Sequence, residues 1–280
     1  MVRHQSGRDP ATEIHQRVQS QFGAVANAYT VSAGHSDPAM LQVVVDLAQP
    51  REGDLALDIA TGAGHTALAL APHVSRVTAY DITQQMLEET ARNAAARGVT
   101  NVDTRRGPAE HLPFEDGSFD IVTVRQAPHH FADVRAAVVE MARVVRPGGR
   151  VVIVDSRAPE DPDLDRAFNY IEKLRDPSHV RNYRASEWRV MVAEAGLQVI
   201  AEQNDDYTEN GRGMDFDVWT RRINTPPGAV EELRRLFRTA SPGLVEALRI
   251  ECRGDEIRFC VPQVILAARK PPARAARRRT

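Results

Sequence analysis

Between Leu55 and Asp155 short apolar runs alternate with helical patterns, and this alternation limits what the chain can fold into more than any other feature. Leu55-Ala56-Leu57-Asp58-Ile59-Ala60 reads as a strand, followed by the turn Thr61-Gly62-Ala63-Gly64. A small-residue helix opens at Thr66 and stops near Pro72, and the next strand, Val74 to Tyr80, ends at Asp81. Thr83 stands where an N-cap belongs, Met86, Leu87, Ala91, Ala94 and Ala95 keep helical spacing, and Gly98 closes the helix. Val102 to Arg105 makes a third strand, and Phe119 to Val124 a fourth after the turn Asp116-Gly117-Ser118. A helix over Val134 to Val145 is halted by Arg146-Pro147-Gly148-Gly149, and Arg150 to Val154 is a fifth strand. Repeated strand–helix–strand units of this length predict a parallel, doubly wound α/β sheet, since a parallel neighbour is reached only through a crossover.

Around this frame the pattern is looser. Asp37-Pro38 starts a helix with Met40, Leu41, Val44 and Leu47 on one face. Beyond the fifth strand, Asp165 to Arg175, Ser186 to Ala195, Val230 to Arg238 and Leu244 to Ile250 read as helices. Leu197 to Glu202, Ile257 to Val261 and Gln263 to Ala268 read as strands. With no repeat and no long linker, 280 residues fit one large domain with a smaller cap, able to bury its core without disulfides or metals. Cys252 and Cys260 form no disulfide framework and no Cys/His cluster has zinc spacing, so a reducing compartment and no metal are expected. The net charge of -2 gives no pull towards nucleic acid or an anionic membrane. Only Arg269, Lys270, Arg274, Arg277, Arg278 and Arg279 form a basic cluster, and 271–280 read as a disordered tail. No apolar run approaches the roughly 18 residues of a membrane span. Met1 to Glu13 has no apolar signal core, so a cytoplasmic location is expected.

Two glycines between a strand and a helix let the backbone approach a ligand at the positive end of the helix, although a tight turn with no ligand would look the same. Asp81, ending the second strand, stands where an acid meets ribose hydroxyls, which favours a nucleoside cofactor. Gly62-Ala63-Gly64-His65-Thr66-Ala67 also satisfies the dinucleotide fingerprint, so an NAD(P)-dependent oxidoreductase is a rival. Against it, Asp58 would repel a pyrophosphate but suits the cationic amino and sulfonium groups of S-adenosylmethionine (SAM). Pro108-Ala109-Glu110 follows the third strand, where polar contacts can reach an adenine amino group, and no Tyr-x-x-x-Lys follows later in the chain. No phosphate-binding Gly-x-x-x-x-Gly-Lys-Ser/Thr occurs either.

Leu57 to Gly64, Asp81-Ile82-Thr83 with Met86-Leu87, Gly107 to Phe114, Asp116 to Asp120 and Val145 to Gly149 resemble, in order, the motifs of class I SAM-dependent methyltransferases. They most resemble the branch of ubiquinone/menaquinone C-methyltransferases and related small-molecule enzymes. One departure is Ala60, where the family's pattern has its first glycine. The resemblance implies a Rossmann-like, doubly wound, mostly parallel seven-stranded sheet. It implies helices over 1–50 forming a lid, a methyltransferase domain over 51–270, and cap insertions at about 156–190 and 205–250. Asp58 would then orient the methionine end of SAM, with Ala60, Gly62 and Gly64 lining its loop. Asp81 would hold the ribose, Ile82 and Met86 would flank the adenine, and Pro108, Ala109 and Glu110 would sit at its edge. Phe22-Gly23 to Ala28-Tyr29, then Ser32 and His35, resemble the segment that folds over SAM, although Phe22 and Tyr29 could equally be core-facing on a helix.

The fourth strand runs into Arg125-Gln126-Ala127-Pro128-His129-His130-Phe131, at the sheet edge where ligands bind. Methyl transfer needs a base only if the nucleophile must lose a proton, and His129 and His130 are the candidates. Adjacent loop histidines can also be purely structural. Arg125 and Gln126 suit positioning of SAM or acceptor. The segment lacks the Asn/Asp-Pro-Pro-Tyr/Phe of enzymes that methylate exocyclic or amide nitrogens, and no acidic cluster marks a magnesium site. Arg175, His179, Arg181, Trp188 and Trp219 could meet an acceptor, or could form a solvated basic face over buried tryptophans. The expected activity is methyl transfer from SAM to a small-molecule acceptor, carbon or oxygen favoured, releasing S-adenosylhomocysteine (SAH). A non-catalytic SAM-binding protein is the other reading, and a homodimer through the C-terminal region is open.

Overall fold

A computed structural model describes residues 9–30, 36–207 and 213–272. The five expected parallel strands are β1 (Leu55–Ile59), β2 (Arg76–Asp81), β3 (Val102–Arg106), β4 (Phe119–Arg125) and β5 (Val145–Ala158). β6 (Gln198–Tyr207) and β7 (Val261–Arg269) complete a seven-stranded path in the order β3-β2-β1-β4-β5-β7-β6. β7 runs antiparallel to both neighbours, and Tyr183–Arg184 add a two-residue pairing at the end of β5. Strand order reverses between β1 and β4, which leaves a crevice at their carboxyl ends.

Alternation along the strands sends Leu57, Ile59, Val122 and Val124 to one face and Ala56 and Ile121 to the other. α1 (Pro10–Thr30) is followed by α2 (Pro38–Ala48), capped by Asp37, whose carboxylate accepts from the Ala39 amide at 3.0 Å. α3 (His65–Leu70) and α4 (Gln84–Ala96) follow β1 and β2. α5 (Val134–Val144) is capped by Asp133 and packs Ala137, Val138 and Met141 on the first face. α6 (Pro162–Arg175) leads to α7 (Ala185–Glu194), whose Trp188, Met191 and Val192 join that same sheet core. A third cluster gathers α6 with α8 (Phe216–Arg221), α9 (Pro227–Arg238) and α10 (Pro242–Leu248) around Phe168, Trp219 and Phe237. A small antiparallel sheet of Met214–Asp215, Glu256–Phe259 and Glu251–Arg253 closes this cluster. No helix among the described residues is long and apolar enough to cross a membrane.

Of the boundaries that differ from the sequence expectation, three change how the sheets are built. β5 starts at Val145, directly off α5, and the ladder to β4 carries a register shift between Phe119 and Ile121. Gly149 permits this close approach, since a Cβ there would lie 2.7 Å from the Asp120 carbonyl. β6 continues through the polar run Glu202 to Tyr207, held by its pairing to β7 rather than by apolar alternation. The apolar stretch Ile257 to Val261 divides, its first part joining the small sheet and Val261 opening β7.

Candidate active site

The crevice at the strand-order reversal is an open cavity of about 930 Å³. Asp58, Ala60, Gly62, Asp81, Ile82, Met86, Pro108, Ala109, Glu110, Arg125 and Gln126 all line it, as does His130. Gly64 does not. Its φ is +85°, and a Cβ there would lie 2.7 Å from Thr90 Cγ2, so it serves the packing of the turn against α4. The Tyr29 side chain, Ser32 and His35 lie outside the described residues, as do the tail residues 273–280.

Asp58 is 1% exposed on β1. Its two oxygens accept from Thr61 Oγ1 at 2.6 Å and Thr123 Oγ1 at 2.7 Å. Burial pushes its pKa up, opposed by these hydroxyls and by the Arg125 guanidinium. Asp81 accepts from the Gly62 amide at 2.9 Å and the Thr83 amide at 2.8 Å, which ties the glycine turn to the end of β2. Burial raises its pKa to about 6 despite those two bonds. Ala60 and Gln126 both line the cavity in the left-handed region, at φ +51° and +52°. Each L-residue held there costs about 1–2 kcal/mol, strain concentrated where the backbone meets the cavity.

α1 lies across the mouth. His15, Val18 and Phe22 line the cavity, His15 Nε2 meets Glu110 Oε2 at 3.2 Å, and Gln19 Nε2 donates to the Ile82 carbonyl at 3.1 Å. The other Glu110 oxygen accepts from the Ala132 amide at 2.8 Å, so this residue links α1 to the segment after β4. Thr61, Thr123 and His15 were not singled out from sequence; the hydroxyls three residues after Asp58 and beside it on β4 carry no motif of their own.

A second cavity of about 670 Å³ adjoins the first, and Phe22, Gln126 and His130 line both. Its wall includes His129, Ser156, Glu172, Arg175, Trp219 and Gln263. His129 Nδ1 meets Asp155 Oδ1 at 2.6 Å, and Asp155 is fully buried at the carboxyl end of β5. Burial disfavours the His129 imidazolium, but the adjacent Asp155 carboxylate together with Glu172 and Asp176 outweighs it and raises the pKa. Burial and the neighbouring His129 push His130 the other way, to about 3, and its Nδ1 meets Ser178 Oγ at 3.2 Å. Arg175 donates to Glu172 and lies 4.6 Å over the Trp219 ring. Arg181 bonds to Asp165 and Glu187, His179 to Asn169, and Trp188 sits in the sheet core, so these three stand apart from both linings.

Residues 57–153 match the family model described as a methyltransferase domain. The uncharacterized methyltransferase YcgJ of Bacillus subtilis (strain 168) is 36% identical over 250 residues, 89% of this chain and 97% of that protein. This chain belongs to the class I SAM-dependent methyltransferases. The crystal structure of YcgJ superposes on this methyltransferase with a TM-score of 0.78 at 38% identity, covering 84% of this chain and 99% of that one. A demethylmenaquinone methyltransferase of Clavibacter sepedonicus is 32% identical over 169 residues, 59% of this chain and 68% of that protein. A geranyl diphosphate C-methyltransferase from Streptomyces coelicolor A3(2) shares the fold at 15% identity (TM-score 0.57, covering 83% of this chain and 78% of that one). That protein was solved with Mg2+, geranyl diphosphate and S-adenosyl-L-homocysteine. The family assignment sets the oxidoreductase reading aside.

Proposed function

We propose that the first cavity holds SAM and that the second holds a small-molecule acceptor, methylated at carbon or oxygen across the wall the two cavities share. The observation that carries this reading is the common lining of Phe22, Gln126 and His130, which puts the two cavities in contact at the carboxyl end of β4. The residues present fit the cofactor. A buried carboxylate at Asp58 with Arg125 near it suits the amino and carboxylate groups of a methionine moiety. Asp81, already oriented by two amides, has acceptor capacity left for ribose hydroxyls, and Ile82 and Met86 offer an apolar face for adenine.

When bound, SAM supplies an electrophilic methyl group whose leaving sulfur needs no acid. The chain's work is therefore positional. Gly62, tied to Asp81, shapes the turn, Ala60 and Gln126 aim backbone at the cavity, and α1 covers it through His15 and Gln19. α6 and the C-terminal cluster wall the acceptor space, so we read α1 as a lid and that cluster as a cap.

Incubation with methyl-labelled SAM and a panel of phenols, quinols and sugars should give acceptor-dependent SAH formation that Asp58→Ala abolishes. SAM binding with no turnover on any acceptor would sink the catalytic part and leave a SAM-binding protein.

A further inference from the structure

We propose that the second cavity takes a neutral, hydroxyl-bearing acceptor, that His129 Nε2 receives the hydroxyl proton, and that Asp155 is the positioning residue holding the imidazole for this task. The proposal rests on the methyltransferase reading above. With His129 Nδ1 committed to Asp155 at 2.6 Å, Nε2 is the nitrogen left for the cavity that His129 lines. Asp155 Oδ2 is buried with no hydrogen-bond partner among the described residues. A buried carboxylate with so little compensation favours a positive charge on the ring it touches, which is the state a base reaches after accepting a proton.

His130, one residue along, is the wrong group. Ser178 occupies its Nδ1, Asp176 Oδ2 lies 3.8 Å from its Nε2, and its ring forms part of the wall between the cavities. The groups facing His129 are Asp155 from β5, Glu172 and Arg175 from α6, Asp176 and His179 from the loop after it, and His130, with Arg222 on the same cavity wall.

Two features define the acceptor. Gln263 is 2% exposed, lines the cavity, and its buried side-chain Oε1 has no hydrogen-bond partner among the described residues, so a ligand group that donates a hydrogen bond is wanted there. Arg175 is matched by Glu172, and with Asp176 a second carboxyl group lies on the same wall, which opposes an anionic ligand such as a diphosphate. Phe22, Met214, Trp219 and Ile223 supply the apolar remainder. In the reaction the acceptor oxygen forms its bond to the methyl carbon as the sulfur–methyl bond breaks and its electron pair returns to sulfur. The oxygen's proton passes to His129 Nε2 and then to solvent, leaving a methyl ether and SAH.

The test uses the full chain, saturated with SAH and carrying nitrogen-15 histidine, examined by nuclear magnetic resonance. Phenol, catechol and cyclohexanol are compared with anisole, veratrole and methoxycyclohexane. The ring signal missing in His129→Gln should show the Nδ1–H tautomer, and Asp155→Asn should weaken its proton affinity at least tenfold. Hydroxyl compounds should move its Nε2 resonance while the matched ethers leave it in place. If no hydroxyl compound moves it, if the ethers move it equally, or if Asp155→Asn leaves its titration unchanged, the proposal is overturned. Calorimetric SAH binding on the same samples separates the two readings: failure to bind SAH condemns the first cavity's assignment, whereas intact binding without the histidine response condemns only this one. Should Asp155→Asn not fold, the hydroxyl–ether comparison on the unaltered chain decides alone.

Discussion

Asp81 should make both stability and cofactor affinity depend on pH in a way that one substitution removes. Its pKa rises from 3.8 to about 6 because burial outweighs the two amide hydrogen bonds it accepts. At about 1.4 kcal/mol per pH unit, that displacement amounts to about 3 kcal/mol. The unfolded carboxyl ionises near 3.8 and the folded one near 6, so the folded state holds the extra proton between those values. Stability therefore falls as pH rises through this window and is level above it. Urea denaturation of the ligand-free protein should lose about 2 kcal/mol between pH 4 and 6.5 relative to Asp81→Asn, whose side chain does not titrate. Ribose hydroxyls would donate to the ionised form, so ligand binding lowers this pKa and affinity climbs with pH. SAH should bind about tenfold more tightly at pH 7 than at pH 5, as read by calorimetry, and the Asn variant should show no such slope. A flat wild-type profile, or equal slopes in both proteins, would refute the reasoning.

Gly64→Ala combines a positive φ with a 2.7 Å approach to Thr90 Cγ2, and should cost about 2–4 kcal/mol in urea denaturation. Adding Thr90→Ala should recover only the steric part. Ala60→Gly relieves the left-handed alanine at φ +51° and should raise stability by up to about 1 kcal/mol, visible as a higher midpoint with unchanged slope.

Much of this was legible because the signals are local. Strand β1 and its buried acid stand within six residues, Asp81 ends its own apolar run, and the glycines fall between a strand and a helix. The sheet edge after β4 follows from strand–helix alternation alone, which is why His129 and His130 could be singled out. What escaped depends on residues distant in sequence. Asp155 lies on the fifth strand, but its bond to His129 spans 26 positions and needs β4 and β5 side by side. The His15–Glu110 contact spans 95. The polar half of β6 shows no alternation, since it takes its place from β7. The packing of Gly64 against Thr90 is likewise not legible, because the turn motif is the same whether a glycine admits a cofactor or a neighbouring helix.

Calorimetric titration with SAH and with NADH, on the wild type and on Asp58→Ala, decides whether the cavity between β1 and β4 binds SAM. A SAM site there gives micromolar SAH binding, loss of at least tenfold affinity in the variant, and no heat from NADH. NADH binding with no response to SAH would contradict it.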